Sequence, residues 1–164
     1  MDEILTSILS MIHRNPFQEG QDRINFVDEY LVKTNQPIND YNRCMHLLNP
    51  DGIVYESLNA VKEGLEQNMR DKMHFVDYND MMNNPEQVME DIYDFLGEEY
   101  YEHTFDGLSN IHRENDLNTY GLSDMHEVHS KLEKTSSSPE SVLPKEIIDL
   151  YEQNKQSLEF WNSK

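Results

Sequence analysis

The chain has 164 residues, a formal net charge of −19 at pH 7 and a single cysteine, Cys44. This charge argues against binding of DNA or RNA through a basic surface, and a lone cysteine excludes an internal disulfide. Because there is no signal-like start and no long apolar run, we expect a cytoplasmic protein that contacts neither nucleic acid nor membrane.

Four helical segments are predicted in the first part of the chain. Apolar residues at helical spacing predict a helix over residues 2–14, which ends at Asn15-Pro16. Shorter helical runs follow over residues 24–31 and 41–48, and Asn49-Pro50-Asp51-Gly52 is a strong turn signal. A fourth amphipathic helix is predicted over residues 55–68.

The middle of the chain predicts one strand and one well-delimited helix. His74-Phe75-Val76 has the composition of a short buried strand, and Tyr78 follows it at the strand end. A helix is expected from Pro85 to Leu96, with Asn84 as its cap and Gly97 just past its end.

The last third is a long polar stretch followed by a final helix. Residues 98–142 lack periodicity, and a helix is predicted over residues 144–161. A single strand among these helices has both edges unpaired, and isolated strands are not stable. Either the fold is all-helical, or the partner strands are absent from this chain.

A family resemblance supplies a reason for this incompleteness. The residues from Phe75 to Met82, with Asn84-Pro85-Glu86 and Phe95-Leu96-Gly97, resemble a segment of the sulfotransferases in which the tyrosine lies against the adenine of 3′-phosphoadenosine 5′-phosphosulfate. The resemblance implies an α/β fold of the P-loop nucleotide-binding type. Residues 1–164 would form a single sulfotransferase-like domain, mostly helical, with at most one or two strands and without the N-terminal phosphosulfate-loop part.

The same resemblance suggests which residues bind the cofactor. Its adenine would lie against Tyr78, and its 3′-phosphate against Ser7 together with an arginine expected upstream of Met1. The Ser/Thr-rich tail resembles a family loop that closes over the cofactor, which adds Lys134, Ser136 and Lys145 as phosphate contacts. The alternatives are an ordinary helix serine, a half-buried tyrosine and a solvated loop.

The histidines raise a different class of function, a metal-dependent hydrolase. His126 and His129 are three residues apart, with His103 and His112 nearby. No cysteine pair and no His-Glu-x-x-His pattern accompanies them, so no metal site is predicted.

The function implied by the resemblance is transfer of a sulfuryl group from 3′-phosphoadenosine 5′-phosphosulfate to a hydroxyl or amine of a small-molecule, glycan or peptide acceptor. The sequence contains no glycine-rich phosphate loop and no counterpart of the family's catalytic base. We therefore expect an incomplete enzyme, weakly active or inactive alone, that is active only if an N-terminal piece, encoded separately or lost from the start of the sequence, completes the sheet. The unpaired sheet edge also favours homo-oligomerisation or capture of a partner. The alternative is a non-catalytic helical protein-interaction module.

Overall fold

The computed structural model describes residues 2–17, 23–109, 115–123, 125–134 and 137–158. Within these residues the chain forms nine α-helices and one 3-10 turn, Arg70–Lys72. The α-helices are α1 (Asp2–Arg14), α2 (Phe26–Lys33), α3 (Asp40–Leu47), α4 (Ile53–Glu66), α5 (Tyr78–Asn83), α6 (Pro85–Leu96), α7 (Asp116–Tyr120), α8 (Pro139–Val142) and α9 (Lys145–Leu158).

The helices are distributed over two compact units. The first comprises Met1–Glu63, Glu114–His126 and Ser136–Lys164, and the second comprises Gly64–Arg113 and Glu127–Thr135. The single domain expected from the sequence stays a prediction.

The first unit contains a hydrophobic core built around α1. Leu5, Leu9 and Ile12 recur every three or four residues, so they form one apolar stripe, and all three are buried. Helix α1 packs against α3 and α8, while α3 also contacts α2 and α9. The buried core cluster consists of Leu5, Leu9, Ile12, Val27, Cys44, Leu47, Val54, Leu122, Leu143 and Ile147. Burial raises the pKa of the Cys44 thiol to about 12, so the thiol stays protonated at neutral pH.

Side-chain caps and a turn fix the helix boundaries of the first unit. The Asn25 and Asn39 side chains accept hydrogen bonds from the backbone N–H groups of Asp28 and Asn42, at the starts of α2 and α3. The predicted turn is confirmed, because the Gly52 N–H donates to the Asn49 carbonyl at 2.7 Å before α4 begins. The four predicted helices of this region are therefore present, with boundaries shifted by a few residues.

The predicted strand His74–Val76 is wrong within the described part of the chain. Met73 and Asp77, which flank it, have extended backbone angles, but no described segment pairs with the residues between them. A strand needs a partner for its backbone groups, and the nearest approach to a ladder in the second unit is a single bridge between Asp106 and Lys131. The Val76 side chain is 43% exposed, so the segment is not buried either.

Tyr78 begins a helix instead of ending a strand. The Asp77 carboxylate accepts the N–H groups of Asn79 and Asp80 at 2.7 and 3.2 Å, which starts the six-residue helix α5. Helix α6 confirms the prediction for Pro85–Leu96: Pro85 lies in its first turn and Gly97 ends it at φ 72°. Asn84 occupies the cap position, but its side chain makes no capping hydrogen bond.

The described residues of the long polar stretch after α6 form little regular structure. Two backbone hydrogen bonds flank the Asp106–Lys131 bridge, from Leu108 N–H to Ser130 O and from Leu132 N–H to Phe105 O. Further along, α7 and α8 are short, and α9 confirms the predicted last helix as far as residue 158. None of the described helices has both the length and the apolar character needed to cross a membrane.

Candidate functional site

Lys134 contacts the neighbour of Tyr78 in the second unit. The Lys134 ammonium donates a hydrogen bond of 2.6 Å to the Asn79 side-chain oxygen, and Asn79 directly follows Tyr78. The Tyr78 side chain is 41% exposed, so its ring is accessible to a ligand. Chain segments more than fifty residues apart thus meet at the residue that follows Tyr78.

Asn79 contributes an amide oxygen at this position. The sulfotransferases that this segment resembles usually have glutamate after the tyrosine, and a carboxylate there would pair with Lys134 and repel a phosphate. The neutral amide instead holds the lysine in place and leaves its positive charge uncompensated by this neighbour. The arrangement therefore suits an adenine ring next to an anionic group.

Ser7 lies on the exposed face of α1 in the first unit. Within the described residues its hydroxyl has no hydrogen-bond partner, so it is available to donate to a ligand. The first turn of α1 carries Asp2 and Glu3, and these carboxylates oppose an anion at that helix end. Ser7 therefore offers one hydrogen bond in a locally acidic setting.

Lys145 begins α9 and is engaged by a carboxylate. Its ammonium donates to Asp149 at 2.6 Å, one helical turn further on. That hydrogen bond and the charges of Asp149 and Glu146 raise the pKa of Lys145. A phosphate would have to compete with Asp149 for this lysine, so Lys145 is a poorer phosphate ligand than Lys134.

Of the five predicted cofactor residues, Lys134 is hydrogen-bonded to the residue that follows Tyr78. Ser7 and Lys145 belong to the same unit, but no hydrogen bond joins these two described side chains. Ser136 lies outside the described residues. The convergence of Ser7 and Tyr78 on one nucleotide stays a prediction.

The histidines are engaged in separate interactions. His126 contacts Asp116 in the first unit, and His103 lies 3.1 Å from the Tyr93 hydroxyl in the second. His112 is outside the described residues, and His129 is exposed. Among the residues that the structure describes, no group of three His, Cys, Asp or Glu side chains is placed to hold a metal ion.

Two polar arrangements in the first unit are not apparent from the sequence patterns. In one, Arg43 joins Asp28 at 2.7 and 2.8 Å to Asp40 at 2.8 Å, and Asp40 also contacts His13 at 3.0 Å. Burial alone would raise the pKa of Asp40, but the hydrogen bonds from His13 and Arg43 lower it overall. This network ties the end of α1 to α2 and α3.

The second arrangement is the pair of Asp116 and His126. The His126 ring contacts one oxygen of the Asp116 carboxylate, and the His126 backbone N–H donates to the other. The only sequence signal was a histidine with carboxylates nearby, and the contact depends on how α7 and the turn after it fold.

The second unit thus contains an exposed tyrosine, Tyr78, whose neighbour Asn79 binds Lys134. The family model described as "Sulfotransferase domain" matches residues 10–148. The chain therefore belongs to the sulfotransferase family, whose members generally use 3′-phosphoadenosine 5′-phosphosulfate and have a P-loop-like fold. The matched region includes Tyr78, Lys134, Ser136 and Lys145, and it begins three residues after Ser7. Neither a curated protein nor a solved structure matches the chain.

Proposed function

We propose that this chain provides the adenosine 3′,5′-bisphosphate-binding part of a sulfotransferase that moves a sulfuryl group from 3′-phosphoadenosine 5′-phosphosulfate to a hydroxyl or amine acceptor. The hydrogen bond between Lys134 and Asn79 carries the proposal, because it places a cation one residue from the exposed ring of Tyr78. Adenine stacks on the tyrosine ring, and Lys134 faces a phosphate of the same nucleotide.

The donor's phosphosulfate end requires residues that this sequence does not supply. Sulfuryl transfer, like phosphoryl transfer, needs cations or amide donors around the oxygens of the moving group. The sequence has no glycine-rich phosphate loop. A separately encoded N-terminal half would complete the site, and the chain alone would be weakly active or inactive. We place this reaction in the cytoplasm.

Calorimetry with adenosine 3′,5′-bisphosphate tests the tyrosine contact. Because stacking on a base is worth about 1–3 kcal/mol, Tyr78→Ala should weaken binding by about 5- to 150-fold. Tyr55 is equally exposed, at 41%, and lies on α4. The matched control Tyr55→Ala should bind like the wild type. An undetectable wild-type affinity, or equal losses in the two variants, would refute the proposal.

Ser7 is tested by comparing two nucleotides. Adenosine 5′-monophosphate lacks the 3′-phosphate, so Ser7→Ala should weaken only the bisphosphate, by about tenfold for one hydrogen bond to a charged group. Ser57 on α4 donates its hydroxyl to the Ile53 carbonyl and provides the control variant Ser57→Ala. Equal affinity of Ser7→Ala and wild type for the bisphosphate would remove Ser7 from the site.

The exposed apolar residues of the second unit favour the alternative function. Val76 and Leu96 expose 43% and 60% of their surface, and Tyr101 exposes 70%. In a non-catalytic interaction module these side chains would contact another protein or a second copy of the chain. Light scattering over a range of concentrations, combined with calorimetry that detects no bisphosphate binding, would support this reading over the first.

A further inference from the structure

A group of aromatic side chains lies at the end of α6 in the second unit. This aromatic cluster consists of Tyr93, Tyr100, Tyr101, His103 and Phe105. The ring centroid of His103 lies between 5.5 and 6.5 Å from those of the other four. Its Nε2 is also 3.1 Å from the Tyr93 hydroxyl. Centroid distances of about 4.5–7 Å are usual for interacting rings, so the five rings form one connected group.

Two rings of the aromatic cluster face solvent. Tyr100 is 42% exposed, and Tyr101 is 70% exposed, more than any other large hydrophobic side chain that the structure describes. The two rings stand at 66° and 79° to the ring of His103. Packing within the unit therefore leaves most of the Tyr101 ring open, and neighbouring exposed rings of this kind are typical of interaction sites.

The segment that carries the exposed rings is held at both ends. The Glu98 N–H donates to the Tyr93 carbonyl at 3.1 Å, which fixes the segment to the end of α6. The Leu132 N–H donates to the Phe105 carbonyl at 2.8 Å, next to the bridge between Asp106 and Lys131. A ligand would therefore meet rings that are already positioned, which lowers the entropy cost of binding.

The charge around the aromatic cluster is negative. From residue 73 to residue 112 the sequence contains five Asp, five Glu and no Lys or Arg. Within the ring-bearing segment, Glu98, Glu99 and Glu102 form no ion pair with any residue that the structure describes. Lys131, on the neighbouring segment, is itself paired with a glutamate of that segment at 2.9 Å. The carboxylates beside the rings are therefore uncompensated within the described part of the chain.

A cation is the ligand that both features attract. The face of an aromatic ring is negative, and a guanidinium group can stack on it while its fork of N–H donors binds a carboxylate. A second copy of this chain carries the same net charge of −19 and is repelled, as is a nucleic acid. A basic protein segment is attracted, and it can offer several cations to several carboxylates at once.

We propose that the aromatic cluster is a docking surface for an arginine-rich segment of a partner protein. Guanidinium groups stack on the open rings of Tyr100 and Tyr101 and donate to the glutamates of the same segment. The acidic stretch steers the partner in, and the ring contacts hold it. This role does not depend on nucleotide binding, because none of the cluster residues is a predicted cofactor contact.

A purely structural role would explain part of the aromatic cluster. Tyr93 and His103 are partly buried, and their contact ties the segment to α6 without any partner. Tyr101 separates the two roles, because a ring that is 70% exposed adds little to packing but is the most accessible one for a cation. Replacing it leaves the contact between Tyr93 and His103 in place.

The first test titrates a fluorescently labelled nona-arginine peptide with the full chain at about 0.15 M salt and follows the anisotropy. Tyr101→Ala should weaken binding by about two- to fivefold, the value of one exposed cation–π contact. Tyr101→Phe keeps the ring and should bind like wild type. The matched control is Tyr55→Ala, because Tyr55 is 41% exposed on α4 in the first unit. All four proteins carry the same net charge, so unspecific attraction predicts four equal affinities.

The second test removes one charge at a time. Glu102→Gln and Glu56→Gln each remove an exposed carboxylate, the first beside Tyr101 and the second on α4. A charge close to the bound guanidinium contributes more than a screened, distant one, so Glu102→Gln should lower the affinity about twofold more than Glu56→Gln. Equal losses would show that only the total charge of the chain attracts the peptide, which would overturn the proposal.

The remaining outcomes are equally decisive. Undetectable binding of the peptide to wild type, or equal affinities of Tyr101→Ala and wild type, would overturn the proposal. A nona-lysine peptide that binds as tightly as nona-arginine would refute the preference for arginine. Calorimetry with adenosine 3′,5′-bisphosphate is independent of these results: failure of that nucleotide to bind would refute the proposed function and leave the peptide measurements unchanged.

Discussion

At the scale of single residues, the first unit tolerates a few buried polar atoms without partners. The Thr6 and Ser10 hydroxyls and Nδ1 of His46 are buried and have no hydrogen-bond partner among the residues that the structure describes. Each such group loses its bonds to water on folding and regains none, which costs about 1–3 kcal/mol. Thr6 is 1% exposed and directly precedes Ser7, so one of these unpartnered hydroxyls lies next to a predicted cofactor residue.

Replacing Thr6 by valine should stabilise the protein. Valine has nearly the shape of threonine and removes the unpartnered hydroxyl, so Thr6→Val should raise the free energy of unfolding by about 1–2 kcal/mol. Urea unfolding measures this gain. Thr34 provides the matched control, because its hydroxyl donates to the Tyr30 carbonyl at 2.8 Å, and Thr34→Val should not stabilise. A destabilised Thr6→Val would mean that its hydroxyl is satisfied in solution.

His46 should make the first unit sensitive to mild acid. Its ring stacks on Tyr30 at 3.7 Å, and desolvation lowers its pKa below 6.5, although Asp51 opposes the shift. Because the folded state resists protonation, the stability from neutral His46 is complete above pH 6.5 and is lost as pH falls through the lowered pKa. Thermal unfolding from about pH 8 to 5 should show a smaller decline for His46→Phe than for wild type. An equal decline in thermal stability for His46→Phe and wild type would contradict this role of His46.

At the scale of helices and strands, sequence patterns predict those elements whose formation depends only on residues close together in the chain. Helices α1 and α6 are predictable because their apolar spacing and end signals are local. The segment His74–Val76 has strand composition but no partner among the described residues, and strand pairing cannot be read locally. Helix α5 was missed because six residues show no stripe, although its cap, Asp77, is visible in the sequence.

The candidate site likewise contains residues that a local motif predicts and contacts that depend on distant parts of the chain. Tyr78 was found through a local motif, whereas the contact of its neighbour Asn79 with Lys134 depends on contacts between distant segments of the second unit. The Asp116–His126 pair has no motif at all. It exists because α7 ends at Gly121 and the chain then turns back, so that a carboxylate and a ring ten residues apart meet.

Gly121 is the position on which that turn depends most. Its φ is +70°, and a Cβ there would meet the Ile24 carbonyl and, at 2.7 Å, the Asn25 nitrogen, both of them backbone. Gly121→Ala should therefore cost about 3 kcal/mol in the free energy of unfolding, from strain plus displaced backbone. Gly97 has nearly the same φ, +72°, but open space around it, so Gly97→Ala should cost only about 1–2 kcal/mol. If urea unfolding shows that Gly121→Ala and Gly97→Ala lose the same free energy of unfolding, the backbone of Ile24 and Asn25 does not lie this close to Gly121.

At the scale of the whole molecule, net charge dominates the approach of any anion. The chain has 32 acidic and 13 basic residues, so a nucleotide bisphosphate is repelled at long range. The attraction by Lys134 acts only within a few ångströms, where salt screens less than it does at a distance. Added salt should therefore favour the approach of a nucleotide to this protein, whereas it disfavours the approach of a nucleotide to a basic site.

We expect salt to accelerate the association of adenosine 3′,5′-bisphosphate. The screening length falls from about 30 Å at 0.01 M to about 8 Å at 0.15 M, so the long-range repulsion weakens first while the contact with Lys134 persists. Stopped-flow measurements should show the association rate constant rising several-fold over this range, and that of uncharged adenosine staying constant. A rate constant that falls with salt would show that a local positive field outweighs the net charge of −19.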